Sequence, residues 1–149
     1  MCDIIPVVYS SEDDMTTINA PIEGVAKYIK QSGCPGHYAM VKYRIEPFES
    51  DYPIIFENRA TVPEQGQYTR LTPEEFVATF EKYVDAFKMG IQESANHHYK
   101  DEENPQKIGK IKIIMLELHI HESDSSMLSF KIAAGLMMNE YFRRKQHDN

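Results

Sequence analysis

The stretch His121-Glu122-Ser123-Asp124-Ser125-Ser126 decides the fold, because a strand pattern ends on one side of it and a helix pattern begins on the other. Upstream, Ile108 to Ile120 reads as a long strand. Ile111, Ile113 and Met115 alternate with Lys110 and Lys112, and the later half adds Ile114, Leu116 and Leu118. A strand that turns apolar on both faces reads as a central one, covered twice. Downstream, Asp124 is expected to open a helix running to about Arg144, since a short Asp or Ser side chain accepts hydrogen bonds from the orphan N–H groups of a first helical turn. Met127, Phe130, Ala134, Met137 and Tyr141 form one stripe, which Leu128, Ile132, Leu136 and Phe142 widen. Such a helix should be largely buried against a sheet. Ala133, Ala134 and Gly135 are small enough for close approach. A core strand, a capped turn and a core helix explain every residue here except His121, which stands where the backbone must leave the sheet.

Working back toward the N-terminus, a second helix start is written in Thr72-Pro73-Glu74-Glu75, a capping box with proline at the first helical position. Phe76, Phe80, Val84, Phe87 and Ile91 then recur at helical spacing as far as Ala95 to His98. Tyr38 to Ile45 is the clearest strand, with Ala39, Val41, Tyr43 and Ile45 on one face and Lys42 and Arg44 on the other. Ile54 to Arg59 reads as the next strand and suits an antiparallel hairpin with it. Ile4 to Tyr9 reads as an edge strand because of Pro6. Met15 to Ile22, continuing toward Ile29, reads as another extended segment. Gln31 to Gly36, Ala60 to Leu71 and Lys100 to Gln106 are loops by composition. The order β-β-β-β-α-β-α, with both helices needing the same sheet, predicts a two-layer α+β sandwich.

Bulk properties narrow the function. At 149 residues the chain is expected to be one domain, 1–149. It has no long apolar run of membrane-spanning length and no basic-then-apolar leader, so a cytoplasmic protein is expected. Cys2 and Cys34 make no disulfide framework and read as plain thiols. A net charge of −7 argues against a general nucleic-acid binder, so no DNA partner is expected, although a small tip can still contact RNA. Catalytic chemistry finds no support. There is no Gly-x-x-x-x-Gly-Lys-Ser/Thr phosphate loop, no Cys-x-x-Cys and no His-Glu-x-x-His. His119 and His121 are expected on one strand face, with Glu117 behind them, and His97 and His98 at a helix end; a zinc site needs three or four converging ligands, and surface histidines are the simpler reading. Ser125 and Ser126 read as cap residues and not as nucleophiles. No enzyme activity, metal or cofactor is expected.

One family shares these landmarks. "HESDSSMLSFKIAAGLMMNEYF" resembles the tip loop and following helix of domain IV of elongation factor G, where the pattern runs His-Asp-Val-Asp-Ser-Ser and then Ala-Phe-Lys-Ile-Ala-Ala. His121, Asp124, Ser125, Ser126 and Phe130 to Ala134 match it. "IEGVAKYIKQSGCPGHYAMVKYRIEP", "IIFENRA", "KYVDAFKMGIQESA" and "GKIKIIML" resemble further segments of the same domain, in the same order. The resemblance implies a β-α-β sandwich with a mixed sheet, two helices on one face and an unusual left-handed crossover. It implies a translation-related module whose tip enters the decoding centre of the small ribosomal subunit. There the histidine matching His121 carries the diphthamide modification in the eukaryotic and archaeal factor. The tip residues so implied are Gly33, Cys34, Pro35, Gly36, His37, His119, His121, Glu122, Asp124 and Ser125.

Departures from the family are specific. The GTPase domain and its phosphate loop are absent, so a free-standing module is expected, with any GTPase on another chain. The family's Gly-Arg-Gly reads Gly33-Cys34-Pro35-Gly36, which loses a phosphate-seeking arginine, and its Asp-Gly turn reads Glu117-Leu118. A segment at about 62–80 is added. Two partners are therefore expected in order: a ribosome or structured RNA, held through the tip, or a protein bound by an adaptor that kept the fold and lost the RNA role.

Overall fold

Strict alternation along β3 (His37–Pro47) sets the geometry: Ala39, Val41, Tyr43 and Ile45 are buried on one face, while Lys42 is exposed on the other. The computed structural model describes residues 2–7, 18–31, 36–66, 69–100 and 108–148. β2 (Ile22–Lys30) runs antiparallel beside β3, from Ile22 opposite Ile45 to Lys30 opposite His37. On the other side of β3 lies β5 (Ile111–His119), also antiparallel. β4 (Ile54–Asn58) is parallel to β5, and β1 (Cys2–Ile4) closes the far edge, giving the order β1-β4-β5-β3-β2. Parallel neighbours need a long crossover, which α1 (Pro73–Lys100) supplies between β4 and β5. α2 (Met127–Asp148) follows β5.

Phe87 and Ile91 of α1, Phe130 and Met138 of α2, and Val41, Ile45, Phe56 and Ile113 of the sheet belong to one buried cluster. Both helices thus cover the same face of a mixed sheet, in the α+β sandwich expected. The helices approach closely at Gly90, where a Cβ would lie 2.6 Å from the Lys131 carbonyl oxygen and 2.7 Å from the Ala134 Cβ. Ala134 is one of the small residues expected at such a crossing, whereas a Cβ on Gly135 would meet open space. The capping box forms as expected: Thr72 N–H donates to Glu75 Oε1 at 3.0 Å, and Glu75 N–H donates to Thr72 Oγ1 at 3.1 Å.

Several expectations need correction. β3 and β4 do not form a hairpin; β3 pairs with β2 and β5. The run Ile54-Ile55-Phe56 is buried throughout and lies inside the sheet between β1 and β5, a place that suits a strand apolar on both sides. β1 spans Cys2–Ile4 where a strand from Ile4 to Tyr9 was expected; residues 5–7 are not strand, and 8–9 lie outside the described residues. Ile5 N–H still reaches the Ile54 carbonyl at 3.1 Å, and Pro6 lies beyond the ladder at the edge. α2 starts at Met127 and is capped by Ser126, not Asp124, because Ser129 N–H donates to Ser126 Oγ at 3.1 Å. Its apolar face is also narrower than expected: Met127, Leu128 and Leu136 are exposed. Of the expected strand at 15–22, residues 15–17 lie outside the described residues and 18–21 are not strand, so β2 begins only at Ile22; of the expected loop at 100–106, Lys100 ends α1 and the rest lies outside the described residues.

The long β5 pattern hides a bulge. Lys42 pairs with Glu117, but Tyr43 pairs with Met115, so Leu116 is the extra residue. The bulge shifts the phase, and Leu118 turns inward beside Val41. On the helix-free face, Ile114 is nevertheless fully buried, flanked in register by Arg44 and Glu57.

Glu57 is the electrostatic centre of that face. Lys112 Nζ lies 3.0 Å from its Oε1, Arg59 pairs with its other oxygen, and Cys2 Sγ is 3.3 Å away. The hydrogen bond from Lys112, then that from Arg59, holds the carboxyl down at about 2. A carboxylate held below its unfolded value adds stability at neutral pH and loses it as pH falls through that interval. Urea unfolding should show wild type more stable than Glu57→Gln above pH about 5, with the gap closing as the pH approaches about 2.

Candidate functional site

One end of the sheet carries the start of β3, the end of β5, the turn that follows β5 and the chain entering β3; Met40 opposite His119 marks this end of the ladder. The turn at 121–126 closes on itself first. His121 C=O accepts from Asp124 N–H at 3.1 Å and from Ser125 N–H at 2.8 Å. Ser125 Oγ accepts from His121 N–H at 2.9 Å and donates to the Tyr38 carbonyl at 2.8 Å. Tyr38 N–H in turn donates to the Asp124 carbonyl at 3.0 Å. Two segments far apart in sequence are thereby clasped through backbone groups and one hydroxyl.

Side chains complete the clasp. The His121 ring lies 5.7 Å from the Tyr38 ring at 38° and keeps 45% of its side-chain surface exposed. Its Nδ1 is 3.3 Å from Asp124 N–H and 3.6 Å from Asp124 Oδ2. Gln31 Nε2 donates to that same Oδ2 at 3.2 Å. Gly36 leaves room for the carboxylate, since a Cβ there would lie 2.5 Å from Asp124 Oδ1. Gly36, Tyr38, His121, Asp124 and Ser125 therefore lie together at this end of the sheet. Gly33, Cys34 and Pro35 lie outside the described residues.

Beneath the turn, Ser129 is a fully buried polar residue. Its hydroxyl sits 2.9 Å from Ser126 Oγ and 3.1 Å from His37 Nδ1, and His37 packs on Tyr28 at 5.1 Å. From α1, Tyr83 donates its hydroxyl to the Ser125 carbonyl at 3.1 Å while its ring stacks on Phe130 at 4.7 Å; burial pushes its phenol up. Sequence reasoning missed Ser129 and Tyr83 as supports of the tip. The Ser126-x-x-Ser129 spacing was a usable signal, because a cap hydroxyl commonly bonds the third residue of its helix.

Two further carboxylates are engaged. Glu122 Oε1 accepts from Thr69 Oγ1 at 2.7 Å and from Arg70 N–H at 3.3 Å, so the added segment is anchored on the tip turn. Arg70, Leu71, Glu122 and Ser123 line the cleft between them. Glu117 lies 3.6 Å from both Lys42 Nζ and His119 Nε2. His119 and His121 do not share a strand face, because β5 ends at His119 and His121 already opens the turn that follows. Among the described residues, no three His, Cys, Asp or Glu side chains converge as metal ligands. Ser125 has its hydroxyl committed to backbone groups, which suits a structural clasp and not a nucleophile. Arg44 is held by Glu23 at 2.8 Å and Glu46 at 3.0 Å.

Comparison with known proteins places this geometry. The model of the family described as elongation factor G, domain IV, matches residues 13–146. A crystal structure from Thermus thermophilus is similar with a TM-score of 0.58 and 30% sequence identity. The match covers 87% of this chain but spans only 16% of the length of that one.

Ser125→Ala should leave the Tyr38 carbonyl and the His121 N–H without their partner and cost about 1–3 kcal/mol in urea unfolding. Gly36→Ala should destabilise by displacing the Asp124 carboxylate. A double-mutant cycle with Asp124→Ala should then show coupling of about 0.5–3 kcal/mol, because the second change removes the obstacle.

Proposed function

Because the chain belongs to the elongation factor G domain IV family, we propose that it is a non-catalytic, translation-related binding module whose tip associates with the ribosome. The observation that carries this reading is the His121 turn, held rigid by Ser125 and Tyr38 with its imidazole half-exposed. A fixed turn loses little freedom on binding, and exposed aromatic and imidazole rings are suited to stacking on unpaired bases. In this reading residues 1–149 act as one module in the cytoplasm, and any nucleotide hydrolysis it is coupled to belongs to another domain or chain. Among the described residues, no helix is long and apolar enough to cross a membrane.

A protein-binding adaptor is the second reading, and a specific observation favours it. Lys42 and Arg44 of β3 both face carboxylates, and the 62–80 segment is bonded to Glu122 at the tip itself. Paired cations release fewer counterions, which weakens any phosphate-driven component of binding.

Co-sedimentation of the purified chain with ribosomes across a salt series separates the two. The ribosomal reading expects binding that weakens as salt rises and a loss of at least about tenfold on His121→Ala. No binding even at low salt, or binding indifferent to His121→Ala, overturns it. Capture of a defined protein that needs residues 62–80 then supports the adaptor.

A further inference from the structure

β2 lies at the edge of the sheet and pairs only with β3 among the described residues. It is nine residues long, has no proline, and its ladder with β3 shows no register shift. Edges of this length are normally guarded, because their free N–H and C=O groups template pairing with another strand. On the helix-free face the strand presents Glu23, Val25, Lys27 and Ile29, with Val25 exposed at 48% and Ile29 at 43%.

We propose that this edge binds a second copy of the chain, β2 against β2, antiparallel about a twofold axis at Val25. The argument is charge complementarity in register. In an antiparallel pair, residues directly opposite point to the same face. With Val25 facing Val25 of the partner subunit, Glu23 faces the partner's Lys27 and Lys27 faces the partner's Glu23. Each copy thus supplies one member of each of two opposite-charge pairs around an apolar centre, the self-complementarity that a twofold interface requires. Centring the axis on Ala26 would instead set Val25 against lysine and Glu23 against Ile29. A lone lysine on an edge repels its own copy; Lys27 does so only when Glu23 is not across from it.

The inner face is compatible. There Gly24 meets the partner's Ala26, two residues too small to obstruct. Leu136 of α2, 43% exposed, lines the groove that runs beside the edge with Gly24 and Lys27. Glu23 already accepts from Arg44 at 2.8 Å, so its carboxylate is oriented on this face before any partner arrives. The result joins two five-stranded sheets into one continuous sheet. Such an interface is small, and a dissociation constant of about 10–100 µM is expected. This inference is independent of what the tip binds.

Sedimentation equilibrium on the full chain tests it, with circular dichroism confirming that each variant folds. Wild type is expected to dimerise reversibly. Val25→Lys, which sets like charges at the axis, should weaken the dimer at least about tenfold. Glu23→Lys and Lys27→Glu should each weaken it, and the double exchange Glu23→Lys with Lys27→Glu should restore it. In a background of Cys2→Ser and Cys34→Ser, Val25→Cys should form an intermolecular disulfide under mild oxidation, since opposed residues lie within bridging distance. A chain that stays monomeric well above that concentration range overturns the proposal. So does a dimer that ignores the charge exchange and leaves the Val25→Cys thiol unlinked, because it uses another surface.

Discussion

A single hydroxyl organises the tip. Ser125 Oγ stands between the His121 N–H and the Tyr38 carbonyl, and so joins the turn after β5 to the start of β3. Without it, two backbone groups at an exposed sheet end would turn to water, and the turn would lose one of the two bonds that tie it to Tyr38. With it, the His121 ring, the Tyr38 ring and the Asp124 carboxylate take defined places. Gly36 and Gln31 then fit around that carboxylate, one by leaving space and the other by donating a hydrogen bond. Order at the tip flows from backbone satisfaction outward to the exposed groups.

The core makes that clasp possible by holding its parts in position. Tyr83 reaches the Ser125 carbonyl only because α1 lies across the sheet with Phe130 under the tyrosine ring. Ser129 supports the cap of α2 from a fully buried position, bonded to Ser126 and His37. The bulge at Leu116 returns Leu118 to the core immediately before the strand ends at His119. These features use few charges. The charged pairs sit mostly on the helix-free face, where Glu57, Lys112 and Arg59 cluster and Glu23, Arg44 and Glu46 form a second group.

The element order, both helices and the clearest strand were legible in the pattern, because Ala39 to Ile45 alternates strictly and Thr72 to Glu75 spells a cap in four residues. Strand pairing was less so. Ile54 to Phe56 follows β3 in sequence at hairpin distance, and only the three-dimensional demand for an apolar strand between β1 and β5 places it elsewhere. The bulge was hidden because Ile114, Leu116 and Leu118 are all apolar, so a phase change leaves no mark in an apolar run. The α2 cap falls two residues later than the pattern suggests because Asp124, Ser125 and Ser126 are all competent caps, and the choice among them depends on Tyr38 and Ser129. At the tip, His121, Asp124 and Ser125 could be named from a motif. Of their supports, Ser129 left a local mark in the Ser126-x-x-Ser129 spacing, whereas Tyr83 reaches Ser125 across a distance of chain that local spacing does not register.

The claim that the clasped turn is the binding surface is tested most directly by amide hydrogen exchange on the protein mixed with ribosomes. The expected result is added protection concentrated in peptides covering 31–38 and 119–126. Protection confined to 62–80, or none at ribosome concentrations that saturate binding, would contradict it.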